Sequence, residues 1–318
     1  MTIQPVDPRS RPARGTGELL VTGATGMVGR HLCRILSKRK LRFRALVRPT
    51  SDRSLLEGFG GWLIEGDLTR PESLKQPLEG VRQVIHLAGA VRAQDPSLYS
   101  TVNTQGTENL LRAANDAGAE RLVLLSSDTV AKVDRDAYAT SKAASEQEAW
   151  RVAREGSLTC VVLRAPMILG PGSRHLRVLQ RLARLPAVPV PRGAARRRPV
   201  WVGDVSHALL QALQIPQEAL PNTAIDLGGA EALSLGELIQ AVAKCRQQRP
   251  PKLLHVTPRS LTAVAGLMEQ LGFSLPVGRK VVSSLTEEIP YDPGPASKLI
   301  NWEPTPLTSA LDLSLNDH

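Results

Sequence analysis

The chain has 318 residues, 42% of them apolar, enough for one sizeable core and a smaller second lobe. No run approaches the roughly 20 apolar residues that a membrane-spanning helix needs. Cys33, Cys160 and Cys245 are scattered and odd in number, which argues against a zinc site or a disulfide framework and fits a reducing compartment, so a cytoplasmic location is expected. A net charge of +10 invites a nucleic-acid reading, but aromatics are only 3% of the chain and leave few stacking platforms, so no nucleic-acid partner is expected.

Residues 1–17 are rich in Pro, Arg and Gly without the apolar core of a signal peptide, and read as a disordered tail. Residues 19–29 then run a short apolar strand into Gly23, Gly26 and Gly29, with an apolar helix behind them. Gly23 permits the tight turn, Gly26 lets the backbone approach a pyrophosphate, and Gly29 allows the helix to pack closely on the sheet. Phosphates held there meet the unpaired N–H groups and positive dipole end of the helix. Strand before and helix after are the context a dinucleotide site requires.

Strand-like runs at 19–22, 43–47, 62–64, 81–87, 121–126 and 158–163 alternate with helical patterns near 28–39, 98–117 and 138–155. Such alternation predicts an α/β fold, a doubly wound parallel sheet of Rossmann type over residues 18–165. Beyond Pro166 the pattern changes. Pro and Arg thicken between 186 and 199, read as a mobile loop, and helices near 204–213, 234–247 and 258–271 follow without regular strands. Residues 166–318 are therefore expected to form the smaller C-terminal substrate lobe.

Cofactor choice is read at the end of the second strand. An acid about 20 positions past the glycines bonds the ribose hydroxyls of NAD, whereas an arginine accommodates the extra phosphate of NADP. Here the strand ends in Arg48, with Thr50 and Ser51 as further hydroxyl donors and Asp52 nearby. NADP(H) is favoured, with NAD(H) the alternative.

Tyr138 and Lys142 stand at i, i+4 on a predicted helix, which places both on one face. A tyrosine with an ordinary pKa near 10 is a poor base at neutral pH, but a neighbouring ammonium favours its phenolate. Upstream, strand 121–126 runs into Ser126-Ser127, and a strand-end serine opposite the tyrosine is placed to hydrogen-bond a substrate carbonyl. Alternation favours Ser127 over Ser126 for that role. His86, in an apolar strand, reads as a packed residue.

The segments TGATGMVG, Gly66 to Leu68, HLAG ending at Gly89, Val102 to Leu111, LLSS ending at Ser127, YATSK from Tyr138 to Lys142, and LRAPMILGPG from Leu163 follow one another in order. Together they resemble the extended or atypical short-chain dehydrogenase/reductase superfamily, the NAD-dependent epimerase/dehydratase group, and Pro199–Leu213, Leu233–Cys245 and Leu299–Leu307 resemble its second lobe and closing signature. The resemblance implies Tyr138 as acid/base, Lys142 as ribose anchor, and Ser127 as carbonyl polariser. It further implies cofactor contacts from Gly23, Thr25, Gly26, Met27, Val28, Gly29 and Arg48, from Asp67 and Leu68 at the adenine, and from Ala88 and Gly89 at the pyrophosphate and ribose. Asn103 braces the site, and Met167 is counted with the cofactor-binding residues. A homodimer through the 98–117 and 138–155 helices is a further implication.

Two departures bear on the substrate. The Ser127 to Tyr138 connection is shorter than in the sugar-nucleotide enzymes, and Met167 stands where those enzymes commonly carry an asparagine. Met167, Ile168 and Leu169 suggest an apolar wall, closer to reductases that exchange hydride between nicotinamide and a carbonyl or secondary alcohol on a hydrophobic small molecule. Arg197 keeps the sugar-nucleotide alternative open as a diphosphate contact. A third reading resembles the branch related to an accessory subunit of respiratory complex I: a scaffold or assembly factor holding NADPH, whose basic surface meets a partner or an acidic membrane face.

Overall fold

The computed structural model describes residues 18–91, 94–220, 223–260 and 285–316; the expected tail over 1–17 and most of the helix expected over 258–271 lie outside them. In chain order the elements are β1 (Glu18–Thr22), α1 (Met27–Lys38), β2 (Phe43–Val47), β3 (Trp62–Glu65), α2 (Lys75–Leu78), β4 (Val81–His86), α3 (Gly106–Asp116), β5 (Arg121–Ser127), α4 (Ala137–Glu155), β6 (Thr159–Ala165), β7 (Ile168–Leu169) and α5 (Arg174–Ala183). They continue with β8 (Ala187–Pro191), β9 (Val200–Trp201), α6 (Val202–Ala212), β10 (Ile225–Asp226), α7 (Leu235–Cys245), β11 (Lys252–Val256), α8 (Gly294–Ile300) and α9 (Leu307–Asn316). They belong to two compact units.

The first unit carries a parallel sheet of seven strands in the order β10-β6-β5-β4-β1-β2-β3. The order reverses between β1 and β4, and the crevice outside the carboxyl ends of strands at such a switch point is where open α/β sheets bind ligands. Every residue of β2 is buried, as expected where helices cover both faces. Leu20, Leu122, Leu124, Leu110, Leu111 and Leu158 share one core without solvent exposure or nearly so. Truncating any of them to Ala typically costs about 2 to 5 kcal/mol.

α1 buries Gly29, Leu32, Cys33 and Leu36, a 3-1-3 spacing that makes one apolar stripe, while Lys38 and its successors are exposed. The helix stops where Lys40 turns left-handed at φ 55°, and Leu41 N–H returns to the Leu36 carbonyl at 2.9 Å. The expected helix over 98–117 divides into a wide π-type turn, Tyr99–Gln105, followed by α3.

The first unit reaches past the sequence boundary at 165. It comprises residues up to Ala165, then Val202–Leu227 and Asp292–Trp302. β10 adds a seventh strand beside β6, pairing Ile225 with Leu163, so two returning segments of the C-terminal half complete the sheet layer. Two-residue strands carry too little periodicity to be read from sequence.

The second unit comprises Pro166–Trp201, Gly228–Tyr291 and Glu303–His318. It contains strands after all: β7 pairs with β9, and β8 with β11, both parallel. The 186–199 stretch, read as a loop, holds β8 because a two-stranded sheet consists of edges alone, where a proline lacking its N–H is tolerated. Leu176, Leu179, Val188, Val190, Leu238, Ile239, Val242, Leu307 and Leu311 form its core. α7 begins in a capping box, Ser234 Oγ accepting from Glu237 N–H while Glu237 accepts from Ser234 N–H at 2.7 Å.

Candidate active site

The glycine turn sits at the carboxyl end of β1. Gly23 is left-handed at φ +67°, and a Cβ on it meets the backbone nitrogen of Ala88 at 2.6 Å. A Cβ on Gly29 meets the Gly23 carbonyl oxygen at 2.2 Å and Ala24 Cα at 2.7 Å, so the helix packs against its own turn with no room for a side chain. Gly26 differs: it is exposed, and only the Gly23 carbonyl lies near, at 3.2 Å. It caps α1 without any side-chain acceptor for the helix amides. Open space above a bare helix N-terminus is the cradle a pyrophosphate fits, so this chain suits the dinucleotide. Thr25, Met27 and Val28 are half-buried around that turn.

The wall of the cradle is tied to the core through His86. Thr22 Oγ1 accepts from Ala88 N–H at 3.3 Å and lies 2.7 Å from His86 Nδ1, and His86 Nε2 lies 2.9 Å from Thr107 Oγ1. The Thr22 and Thr107 hydroxyls can each donate or accept, so a neutral ring is satisfied at both nitrogens. Burial, aided by the Lys142 charge, pushes its pKa down to about 3. Thr22 and Thr107 were not legible as partners from sequence, since 64 and 21 residues separate them from His86.

β2 and β3 bring Arg48 and Asp67 together. Asp67 Oδ1 accepts from the Thr69 N–H at 2.9 Å and hydroxyl at 2.8 Å. Partial burial opposes its ionisation, yet these bonds and the charges of Arg48 and Arg70 hold its pKa below the ordinary value. Arg48 is exposed at the strand end, its N–H held by Ser51 Oγ at 3.1 Å. Leu68 points into the core, and its carbonyl accepts from Asn109 at 2.8 Å.

Asn103, buried in the π-type turn, clips three elements together. Its Oδ1 accepts from Ala90 N–H at 2.6 Å, and its Nδ2 donates to Ala90 O at 3.0 Å and Ser141 Oγ at 2.9 Å. Ser145 Oγ donates to the Asn103 carbonyl at 2.7 Å. The loop carrying Ala88 and Gly89 is thereby fixed to α4, and the extra residue per turn is what aims Asn103 there.

α4 starts because Asp136 caps it, accepting from Ala139 N–H at 2.8 Å, which puts Tyr138 in its first turn. The Tyr138 hydroxyl faces the Ser127 side chain, which favours the phenolate. Ser127 Oγ accepts from the Thr129 hydroxyl at 2.9 Å and N–H at 3.3 Å, and Tyr99 packs its ring edge-on to Tyr138 at 6.0 Å. Burial pushes the Tyr138 phenol up to about 12, Ser127 opposing and Asp128, Asp136 and Tyr99 adding to the rise. Lys142 is not among the groups that shift the phenol, so the depression expected from it does not appear. Lys142 Nζ instead donates to the Leu125 carbonyl at 2.7 Å, and its own pKa falls to about 8 through burial, partly offset by Glu146.

Alternation along β5 separates the two serines. Ser126 turns away to donate to Glu146 Oε1 at 2.5 Å, and Arg164 grips the same carboxylate through Nε at 2.9 Å and Nη2 at 2.6 Å. Glu146 is one helical turn beyond Lys142, a spacing that a reading of the helix face was able to flag.

Met167 and Arg197 belong to the second unit. Met167 packs against that unit's core. Arg197 Nη2 donates to the Glu287 carbonyl at 2.7 Å, and its backbone bridges to Leu233.

A parallel sheet with a glycine cradle at its switch point, and a Ser-Tyr-Lys group beside it, defines a nicotinamide-dependent enzyme of the short-chain dehydrogenase/reductase type. The chain belongs to the NAD dependent epimerase/dehydratase family, whose model matches residues 19–228. It is 34% identical to a ceramide reductase of Caulobacter vibrioides over 252 residues, 78% of this chain and 77% of that protein. With a UDP-glucose 4-epimerase of Vibrio cholerae it shares 26% identity over 252 residues, 71% of this chain and 74% of that one. The crystal structure of gox2253 superposes with a TM-score of 0.79 at 28% identity, covering 95% of this chain and 97% of that one. The enzyme is thus an NAD(P)-dependent oxidoreductase or epimerase, and no helix among the described residues is long and apolar enough to cross a membrane.

Proposed function

We propose that the protein is an NADPH-dependent reductase of a ketone carried on an apolar, lipid-like small molecule. The observation that carries this reading is the half-buried Tyr138 facing Ser127 from the first turn of α4, a neutral phenol whose pKa desolvation pushes up to about 12. A phenol with a pKa near 12 is a poor base at neutral pH, yet it readily gives its proton to an alkoxide, which is the requirement of carbonyl reduction. Ser127 is placed to polarise the carbonyl oxygen, and Tyr138 to protonate that oxygen as negative charge develops on it. The nicotinamide, when bound, supplies the hydride. Lys142 anchors the ribose side and keeps a positive charge beneath the developing alkoxide.

The short Ser127–Tyr138 connection and the apolar Met167-Ile168-Leu169 sequence favour an apolar substrate over a sugar nucleotide, and a relative named for ceramide supports the same class. Arg48, exposed at the end of β2 where an acid would serve NAD, supports NADPH by its charge. The test is oxidation of NADPH against a panel of long-chain ketones, with UDP-sugars as the competing class. Turnover of an apolar ketone with NADPH is expected. Interconversion of UDP-sugars with none of the ketones reduced overturns the reading.

A further inference from the structure

No aspartate or glutamate occurs between Glu155 and Asp204, a stretch that holds nine arginines. Four of them, Arg174, Arg177, Arg181 and Arg184, lie on α5 and its C-cap, and all four are exposed. At 100° per residue they fall within an arc of about 80°. Leu176, Leu179 and Ala183 occupy the opposite face and are buried in the second unit's core. None of the four arginines has a side-chain hydrogen bond or ion pair among the described residues, in contrast to Arg196, which is paired with Glu237. Leu185 follows the stripe directly and is 45% exposed.

We propose that this arginine face of α5 docks the enzyme on an anionic lipid surface, with Leu185 entering the interface. Charge complementarity carries the choice. Four unneutralised guanidinium groups in one row, flanked by an exposed leucine, match a plane of lipid phosphates whose acyl boundary accepts apolar side chains. Duplex nucleic acid offers the phosphates without the apolar layer, and the chain is poor in the aromatics that stack on single strands. An acidic protein offers discrete carboxylates and no reason for Leu185 to be exposed beside the stripe. The proposal goes beyond the reductase reading and does not depend on it.

The experiment is co-sedimentation of the full chain with phosphatidylcholine vesicles, with and without phosphatidylglycerol. Each arginine near an anionic surface adds roughly fivefold to partitioning. Replacing all four by glutamine is expected to reduce binding to the anionic vesicles at least a hundredfold, while melting temperature and NADPH affinity stay at the wild-type level. Glutamine at Lys75, Arg82, Arg112 and Arg154, exposed cations spread over four separate elements of the first unit, removes the same charge and is expected to leave vesicle binding intact. Leu185→Ser is expected to weaken binding to vesicles and to leave unchanged any binding to duplex DNA or polyglutamate. Equal binding to neutral and anionic vesicles overturns the proposal. So does equal loss in both charge variants, or tighter association with duplex DNA or polyglutamate that Leu185→Ser does not alter relative to vesicles.

Discussion

Lys142 Nζ donates to the carbonyl oxygen of Leu125 at 2.7 Å, which moors the ammonium at the end of β5 just before Ser126 and Ser127 part to opposite faces. The charge is held where it is electrostatically useful and costly to bury. Its pKa of about 8 lies below the unfolded value near 10.5, so the folded state binds the proton less well. The penalty is complete below pH 8 and disappears as pH rises toward 10.5, amounting to roughly 3 kcal/mol at neutrality. Lys142→Met is therefore expected to raise the melting temperature at neutral pH, lose that gain at high pH, and bind NADPH more weakly. Melting curves across pH and calorimetric titration check both halves.

Tyr138→Phe removes one oxygen from an otherwise unchanged ring. NADPH affinity should remain near wild type while ketone reduction falls at least the roughly hundredfold expected of a general acid. Unchanged turnover rules out Tyr138 as the proton donor. Activity in the reductive direction should persist well above neutral pH, because the phenol keeps its proton up to about 12.

The neutral His86 sets an acid limit. Its folded pKa of about 3 lies below the unfolded value of 6.5, so the stability of the neutral ring is present above pH 6.5 and drains away as pH falls toward 3. Urea titrations over that window should show a smaller loss for His86→Gln than for wild type. At neutral pH the variant should itself be less stable, by about 1 to 3 kcal/mol, through disturbed bonds to Thr22 and Thr107.

Gly26 and Gly29 look alike in sequence and should respond differently to alanine. Gly29→Ala drives a Cβ into backbone atoms at 2.2 and 2.7 Å and is expected to prevent stable folding. Gly26→Ala brings a Cβ to 3.2 Å from the Gly23 carbonyl alone, a tight contact that a small shift relieves, and should lose about 1 kcal/mol of stability while cofactor affinity falls sharply, since the Cβ occupies the phosphate approach. Equal cofactor affinity in Gly26→Ala places the phosphates elsewhere.

Arg48→Ala should abolish the preference for NADPH over NADH. A charge-assisted bond to phosphate is worth about 1.5 to 3 kcal/mol, so NADPH affinity should drop tenfold or more with NADH affinity little changed. Calorimetry with both cofactors decides it, and a preference that survives the substitution removes Arg48 from the phosphate site.

Strand-to-glycine-to-helix order and the i, i+4 spacing of Tyr138 and Lys142 are local features, set within a few residues by turn sterics and helical period, so the parallel sheet, the cradle and the Tyr-Lys face were legible in the chain. β10 and β8 were not, because a two-residue strand and a proline-bearing strand are specified by their pairing partners rather than by their own pattern. The tertiary structure alone decided what each polar group faces. His86 draws Thr22 and Thr107 from distant segments, Asn103 reaches Ser141 only through the π-type turn, and Ser126 is committed to the Glu146–Arg164 pair. It also decided which way the Tyr138 pKa moves. Sequence placed an ammonium nearby and so implied a lowered pKa, whereas Lys142 is turned to the Leu125 carbonyl and burial of the phenol raises its pKa instead.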